Sequence, residues 1–320
     1  MSALQRHIVR PQDVGLVRAD LDAPGYARCE RDPDRFYSTA KKTISKAEME
    51  RLRGLAVPPA WSDVWISKSA DTHILALGTD ASGRRQYIYH PDWRAACEAA
   101  KFSDLGLFAA RLPRLRRQVR RALSGDPGDP GFAIATIIRL MDRAGLRIGN
   151  WKGPNEGAVT LAEEHIDLDG DELNLEYTGK GGKTRSVELE DPFLAQAISA
   201  LSERPGDHLF ELQTSKIRPS HVNAFIQDAM GHAFSAKDFR TWGGSVRAAK
   251  TLFASSRRVT IKAVSEAAAD WLGNTPGIAR SSYIHPAIIE KVPDAPLDYV
   301  AKGPTALRKY ERACFALIED

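Results

Sequence analysis

The sequence predicts an α+β protein: a small β-rich N-terminal domain over residues 1–90 and a larger, mainly α-helical domain over 91–320 that includes a small β-sheet. Three observations predict it. Between Tyr26 and Tyr89 the apolar residues come in short, strand-length runs separated by turn residues. At Pro91 the texture changes to apolar positions three and four apart. Within the helical part, residues 164–189 return to short strand-like runs around two glycine-bearing turns.

Residues 1–25 carry little pattern and are expected to form a partly ordered arm. A helix is expected from Ser45, with Glu48 completing a capping box. The runs around Trp65-Ile66 and over His73–Leu77 read as strands, Thr79–Gly83 as the turn between strands, and Arg84–Tyr89 as the returning strand. Period two puts Arg85, Tyr87 and Tyr89 on one face of it.

From Pro91 to Leu123 helices dominate. Leu112, Leu115, Val119 and Ala122 form an apolar stripe, and Arg114, Arg117, Gln118 and Arg121 occupy another face. Ser124–Gly131 is a loop by composition. A buried helix follows, with Ile134, Ile137, Ile138 and Met141 inward, ending near Gly145. Asp169-Gly170 and Gly179–Gly182 are the turns of the 164–189 sheet. Further helices are expected from Asp191, over Ser220–Met230, from Ser235 with Asp238, and over Thr260–Leu272 with Gly273 as a glycine C-cap. Thr275-Pro276 opens another, proline being favoured at the first helical position. Pro286 restricts His285 to extended geometry, so Tyr283 lies near the end of a short segment between two breaks.

With 43% hydrophobic and 27% charged residues in 320, the chain can bury a sizeable core. The net charge of +4 and pI near 8.9 hint mildly at a polyanionic partner. The cations are concentrated: Lys101, Arg111, Arg114, Arg116, Arg117, Arg120 and Arg121 lie in one stretch with Asp104 as the only acid. Such a face can track phosphates with salt-dependent affinity. Three widely spaced cysteines, Cys29, Cys97 and Cys314, suggest neither a disulfide framework nor a zinc cluster. The N-terminus lacks an apolar signal core and no run is long enough to span a membrane, so a cytoplasmic location and no membrane partner are expected.

Two runs imitate known sites. Gly182-Lys183-Thr184 resembles the end of a phosphate-binding loop, but Tyr177 stands where that loop needs a glycine, and a strand is expected to follow. Asp167-Leu168-Asp169-Gly170-Asp171 resembles a calcium loop but lacks its later glycine and glutamate, and reads as a hairpin turn. No metal and no cofactor are expected.

The stretch from Ser235 to His285 holds the candidate chemistry. It offers Arg240 at a helix start, the amide of Asn274 after a helix end, and the phenol of Tyr283. Arg147 and Lys180 lie upstream. An arginine fork suits two phosphate oxygens. A phenol with a pKa near 10 needs its proton removed, and the charge growing on an attacked phosphate must be neutralised. Two arginines and a lysine can do this without metal.

The chain resembles the type IB DNA topoisomerases, in particular their small poxvirus-like bacterial branch. The resemblance is carried by Val57-Pro-Pro-Ala-Trp61, Asp80–His90, Leu146-Arg-Ile-Gly-Asn150, Tyr177-Thr-Gly-Lys180, Lys237–Gly243, Gly273–Pro276 and Ser282–Pro286, and covers about residues 35–290. It implies that Arg147, Lys180, Arg240, Asn274 and Tyr283 are catalytic. Asn274 stands where the viral enzymes hold histidine; an amide donates but carries no proton, so the acid must be a lysine. The implied activity is relaxation of supercoiled duplex DNA through a 3′-phosphotyrosyl intermediate, without ATP or metal. Lys180 would protonate the leaving 5′-oxygen, assisted by Lys237. The resemblance also implies DNA contacts from Arg85, Gln86, Tyr87 and Tyr89, Lys152 in the compact Trp151–Gly157 loop, and Lys237, in a nucleoid-associated monomer with no obligate protein partner. The breaks at Gly273 and Pro286 further suggest a Tyr283 segment that is mobile and docks when DNA is bound.

Other readings stay open. A tyrosine site-specific recombinase shares the plan, though recombinases usually show His-x-x-Arg where this chain has Lys237-x-x-Arg240. A non-catalytic DNA-binding relative would not need the full residue set. A metal-dependent type IA enzyme is motivated only by the Asp167–Asp171 run.

Overall fold

The structure is a computed structural model that describes residues 9–29, 32–40, 43–152, 156–179, 181–204, 208–212, 215–231 and 234–319. The chain divides into two compact units, His7–Lys101 and Phe102–Asp320, and each encloses its own apolar cluster.

The first unit is built on an antiparallel sheet. Strands β1 (Tyr26–Cys29), β2 (Asp32–Ser38), β3 (Ser62–Ile66), β4 (Ile74–Thr79) and β5 (Arg85–Tyr89) lie in the order β2-β1-β3-β4-β5. Helix α1 (Lys46–Gly54) starts where expected, with Ser45 Oγ accepting from the Glu48 amide, and buries Leu52 among Phe36, Val64, Ile66 and Ala76. The Val57–Trp61 run has a structural reason. Buried Arg28 donates to the carbonyls of Val57, Pro58, Pro59 and Trp61, so one guanidinium satisfies a turn whose prolines supply no N–H. The β4–β5 turn is closed by Asp80, which accepts from the amides of Ser82 and Arg84, with Gly83 at φ +72°. The described part of the arm is tied down: Val17 bridges to Thr72, and the Ala19 amide donates to His73 Nδ1. Helix α2 (Pro91–Ser103) begins at the change of texture, and the two units part near its end.

The second unit is helical around one small sheet. Helix α3 (Leu105–Ala122) buries Leu112, Leu115 and Val119 as the stripe predicts, and leaves Arg114, Arg117, Arg120 and Arg121 exposed. Two of its cations are withdrawn from the expected phosphate-tracking face. Arg116 is bonded to Asp142 and Glu311, which hold it ionised against the cost of burial, and Arg111 donates to the Met230 carbonyl. Glu311 comes from α11 (Lys309–Ile318), a terminal helix the sequence reading did not anticipate.

Helix α4 (Pro130–Ala144) is capped by Asp129 and ends at Gly145, φ +66°. Strands β6 (Ile166–Asp169), β7 (Glu172–Gly179) and β8 (Lys183–Glu190) form the expected meander, β7 turning Leu173, Leu175 and Tyr177 inward. Gly182 therefore leads into a strand. Helices α5 (Pro192–Ser202) and α6 (Pro219–Met230) flank a two-residue-a-side hairpin of β9 (Glu211–Leu212) and β10 (Ser215–Lys216). Helix α7 (Ala236–Ala254) opens with the predicted Ser235–Asp238 capping box. Helix α8 (Ile261–Leu272) ends at Gly273, and α9 (Pro276–Ser282) and α10 (Pro286–Glu290) follow.

Glycines set how closely α7 and α8 meet. A Cβ on Gly243 would stand 2.0 Å from Trp271 Cη2, and one on Gly145 2.9 Å from the same ring. A mid-helix glycine costs about 1 kcal/mol relative to alanine, so the contact it permits outweighs that loss. Gly243→Ala is accordingly expected to destabilise the protein by about 1–3 kcal/mol despite its better helix propensity, as overpacked cores do. Thermal unfolding should show a midpoint lowered by several degrees; an unchanged midpoint would mean that Trp271 yields freely.

Candidate active site

Four of the predicted residues meet in the second unit, and local structure explains each position. Gly145 ends α4 in the left-handed conformation, and the chain then leaves the helix toward Arg147 without regular structure. Its backbone is pinned by the Ala158 amide, which donates to the Arg147 carbonyl at 2.8 Å. Gly149 and Gly157 allow this crossing: a Cβ on Gly157 would lie 2.4 Å from the Gly149 Cα. Gly273 ends α8 in the same left-handed way, φ +59°, and delivers Asn274. Thr275 then caps α9, and Tyr283 is the C-cap residue of that helix, its amide bonded to the Ala279 carbonyl.

Arg240 lies one turn into α7, buried with 4% of its surface exposed. It donates to the Gly145 carbonyl and, at 2.9 Å, to the Leu272 carbonyl. Its guanidinium carbon sits 5.1 Å from the Tyr283 ring centroid. Arg147 Nη2 donates to Asn274 Oδ1 at 2.5 Å. An arginine only donates, so the amide must turn its oxygen to Arg147 and its nitrogen elsewhere. That nitrogen, Nδ2, is buried and makes no well-formed hydrogen bond among the described residues, and the group it faces is the Tyr283 phenol, whose ionised form it favours.

A cavity of about 550 Å³ is lined by Arg147, Asn274 and Tyr283, with Tyr177, Lys183 and Arg185 among others. Charge within it is strongly coupled. Burial pulls the Arg240 guanidinium down to about 10, Arg147 pulls in the same direction, and Tyr283 opposes both. Burial alone would push the Tyr283 phenol up. Arg240, Arg147 and Asn274 together outweigh it, Arg240 contributing most, and the phenol ends below its ordinary value. The arrangement therefore eases loss of the phenol proton and sets two guanidiniums and an amide donor beside it, where an anion could be stabilised.

Ser245 of α7 fixes the tyrosine from behind. Its hydroxyl donates to the Tyr283 carbonyl and accepts from the His285 amide, both at 3.0 Å. A Cβ on neighbouring Gly244 would come within 3.2 Å of that same carbonyl. The expectation of a segment that docks only on DNA is thus corrected: the chain by itself already seats Tyr283 beside Arg240.

The other predicted residues are distributed differently. Lys180 lies outside the described residues; its neighbours Gly179 and Gly181 line the cavity. Lys237 is exposed in the first turn of α7, and Lys152 is exposed beyond Asn150. Arg85, Gln86, Tyr87 and Tyr89 belong to β5 of the other unit, where the Tyr87 and Tyr89 rings stack at 5.8 Å on one face, as period two requires. Gln86 donates its amide to Asp80 Oδ2 at 2.8 Å, so it is committed within its own hairpin. Tyr177, Arg185, Glu156 and Ser245 were not singled out as site residues from sequence. The alternation of β7 and β8, which pairs Tyr177 with Arg185 and turns both inward, was the one available signal.

Comparison with known proteins gives the family. Residues 90–281 match the family model for the catalytic core of eukaryotic DNA topoisomerase I, a match that stops short of Tyr283. Residues 35–80 match the N-terminal domain of bacterial DNA topoisomerase IB. DNA topoisomerase 1B of Acanthamoeba polyphaga mimivirus is 26% identical over 249 residues, 73% of this chain and 74% of that protein. DNA topoisomerase 1B of Vaccinia virus (strain Copenhagen) is 23% identical over 279 residues, 79% of this chain and 85% of that one. Among solved structures, the XerH site-specific recombinase bound to difH superposes with a TM-score of 0.37 and 14% identity, over 56% of this chain and 52% of that one, too slight a likeness to argue from.

The coupling between Arg240 and Tyr283 can be read by titration. In protein carrying ¹³C at the tyrosine Cζ, the Tyr283 resonance should titrate below the usual value near 10. Arg240→Gln removes the charge and leaves burial unopposed by its largest counterweight, so the midpoint should move up. An unmoved midpoint would assign the acidity to another group.

Proposed function

The chain belongs to the DNA topoisomerase I family, whose catalytic-core model it matches over residues 90–281, and from this we propose that it relaxes supercoiled duplex DNA by transient cleavage of one strand through a 3′-phosphotyrosyl intermediate on Tyr283. The observation that carries the reading is the Tyr283 phenol seated against Arg240 beside the Arg147–Asn274 pair.

In this reading the Tyr283 phenol gives its proton to solvent, its oxygen attacks a backbone phosphorus, the bond to the 5′-oxygen breaks, and that oxygen takes up a proton. Lys180 is the proposed acid, assisted by exposed Lys237. Arg147, Arg240 and Asn274 Nδ2 donate to the non-bridging oxygens, where charge grows in the transition state. The cut strand rotates, and the 5′-hydroxyl attacks the phosphotyrosine to restore the bond. The phosphoester is exchanged, not hydrolysed, so no ATP is consumed, and the donor set supplies the charge that a metal would otherwise bring. Duplex DNA is the proposed partner. Arg85, Tyr87 and Tyr89 of β5, with Lys152 and Lys237, are proposed contacts; Gln86 joins them only by giving up its bond to Asp80. No described helix is long and apolar enough to cross a membrane. A monomer in the cytoplasm, associated with the nucleoid, completes the proposal.

The test is plasmid relaxation in EDTA without ATP. Both negatively and positively supercoiled plasmid should relax; failure of the unaltered protein to relax either would overturn the reading. Tyr283→Phe should bind DNA and form no covalent adduct when quenched with denaturant, and a persisting adduct would remove Tyr283 from its role. Asn274→Ala, which deletes a single oxyanion donor, should slow single-turnover cleavage by about 10²-fold. Site-specific strand exchange without general relaxation would instead identify a recombinase.

A further inference from the structure

We propose that Arg185 is a positioning residue of the cleavage reaction, fastening the β7–β8 hairpin to the two helix ends that deliver Arg147 and Asn274. The inference rests on the functional reading above and extends it to a side chain outside the proposed catalytic set.

Arg185 lies on β8 opposite Tyr177 and lines the same cavity as Tyr283. Its guanidinium reaches three backbone carbonyls. It donates to Asp270 at 2.9 Å and to Trp271, both in the last turn of α8, and to Ala144 at 3.2 Å, the last residue of α4. The Trp271 and Ala144 carbonyls lie past the reach of their own helices' amides, the Asp270 carbonyl shares its acceptor with the Gly273 amide at 3.4 Å, and both helix ends carry partial negative charge. One fork therefore joins three elements. From the first, α4, the chain passes through Gly145 to Arg147; from the second, α8, it passes through Gly273 to Asn274; the third is the strand entered from the Gly179–Gly182 turn, which contains Lys180.

The surroundings are fitted to this fork. A Cβ on Gly273 would come within 2.6 Å of Arg185 Nη1, so glycine there supplies the left-handed turn and the space for the guanidinium. Burial pulls the Arg185 guanidinium down, and Tyr177 pushes it back up as a hydrogen-bonding neighbour. Lysine could keep the charge but, as a point charge, could not span three carbonyls. A residue that only stabilised the fold would change how much protein is folded, not how fast each folded molecule cleaves. A residue that places Arg147, Asn274 and the hairpin against one phosphate changes the rate itself, since a misplacement of about 1 Å can cost about 10²-fold.

The experiment compares unaltered protein, Arg185→Met and Arg185→Lys in single-turnover cleavage of a duplex, with active sites counted from the covalent end point. For Arg185→Met the cleavage rate per active site should fall by about 10–100-fold. Noncovalent affinity, measured in the Tyr283→Phe background, should stay within about threefold. Cleavage and religation should slow together, leaving the covalent fraction at equilibrium unchanged, because the clamp acts on the geometry of the shared transition state. Arg185→Lys should recover part of the rate. If Arg185→Met is too unstable to purify, the same measurements on Arg185→Lys decide, with a rate still below that of the unaltered protein expected. An unchanged rate per active site, or a loss confined to DNA affinity, overturns the positioning role while leaving the functional reading intact. An unaltered protein that forms no adduct overturns the functional reading, and the role of Arg185 with it.

Discussion

Two helices, α4 and α8, aim their carbonyl ends at the same small region, and the site is built on the way that convergence is neutralised. Left alone, the two ends would repel each other and bury acceptors without partners. Arg240 takes the carbonyls of Gly145 and Leu272, and Arg185 takes those of Ala144, Asp270 and Trp271. Fold and chemistry share these atoms. The charge that lets the helix ends approach also lowers the Tyr283 phenol, so a substitution at Arg240 acts on both at once.

The close approach depends on missing side chains. Trp271 lies over Gly243 and Gly145, Gly149 crosses Gly157 backbone to backbone, and Gly244 leaves room for the Tyr283 carbonyl. Each glycine weakens its own segment, and together they let four chain segments meet around one cavity. Ser245 supplies the complementary restraint, holding the backbone on both sides of Ile284 with one hydroxyl.

Much of this was legible in the sequence because its signals are local. Ser45 with Glu48, Ser235 with Asp238, and the glycines after Ala144 and Leu272 each act within one turn of the element they bound. Arg147, Arg240, Asn274 and Tyr283 were singled out through the resemblance to type IB topoisomerases, and the structure brings these four side chains together. What escaped was set by distant partners. Arg116 looked like one more cation on a basic helix until Asp142 and Glu311 closed on it from α4 and α11. Arg28 gave no hint of four carbonyls about thirty residues away. Arg185 sits in an alternating strand where arginine is common, and its meaning depends on two helix ends that are remote in the chain. Tyr283 looked free to move because the breaks around it are visible, whereas the Ser245 bracket is not.

Asn274 shows how such distant contacts determine chemistry. A free asparagine side chain can face a phosphate with its oxygen or its nitrogen, and only one orientation helps. Arg147 removes the choice, because a guanidinium cannot accept and so holds the amide by its oxygen. The nitrogen is then left buried beside the Tyr283 phenol without a well-formed hydrogen bond, a costly state for a polar group unless a better acceptor arrives. In the proposed reaction that acceptor is a phosphate oxygen, and its need for a donor grows as the phosphorus gains a fifth ligand. The unsatisfied donor thus stands oriented before the anion forms, and the reorganisation that free water would have to undergo is already complete in the folded chain.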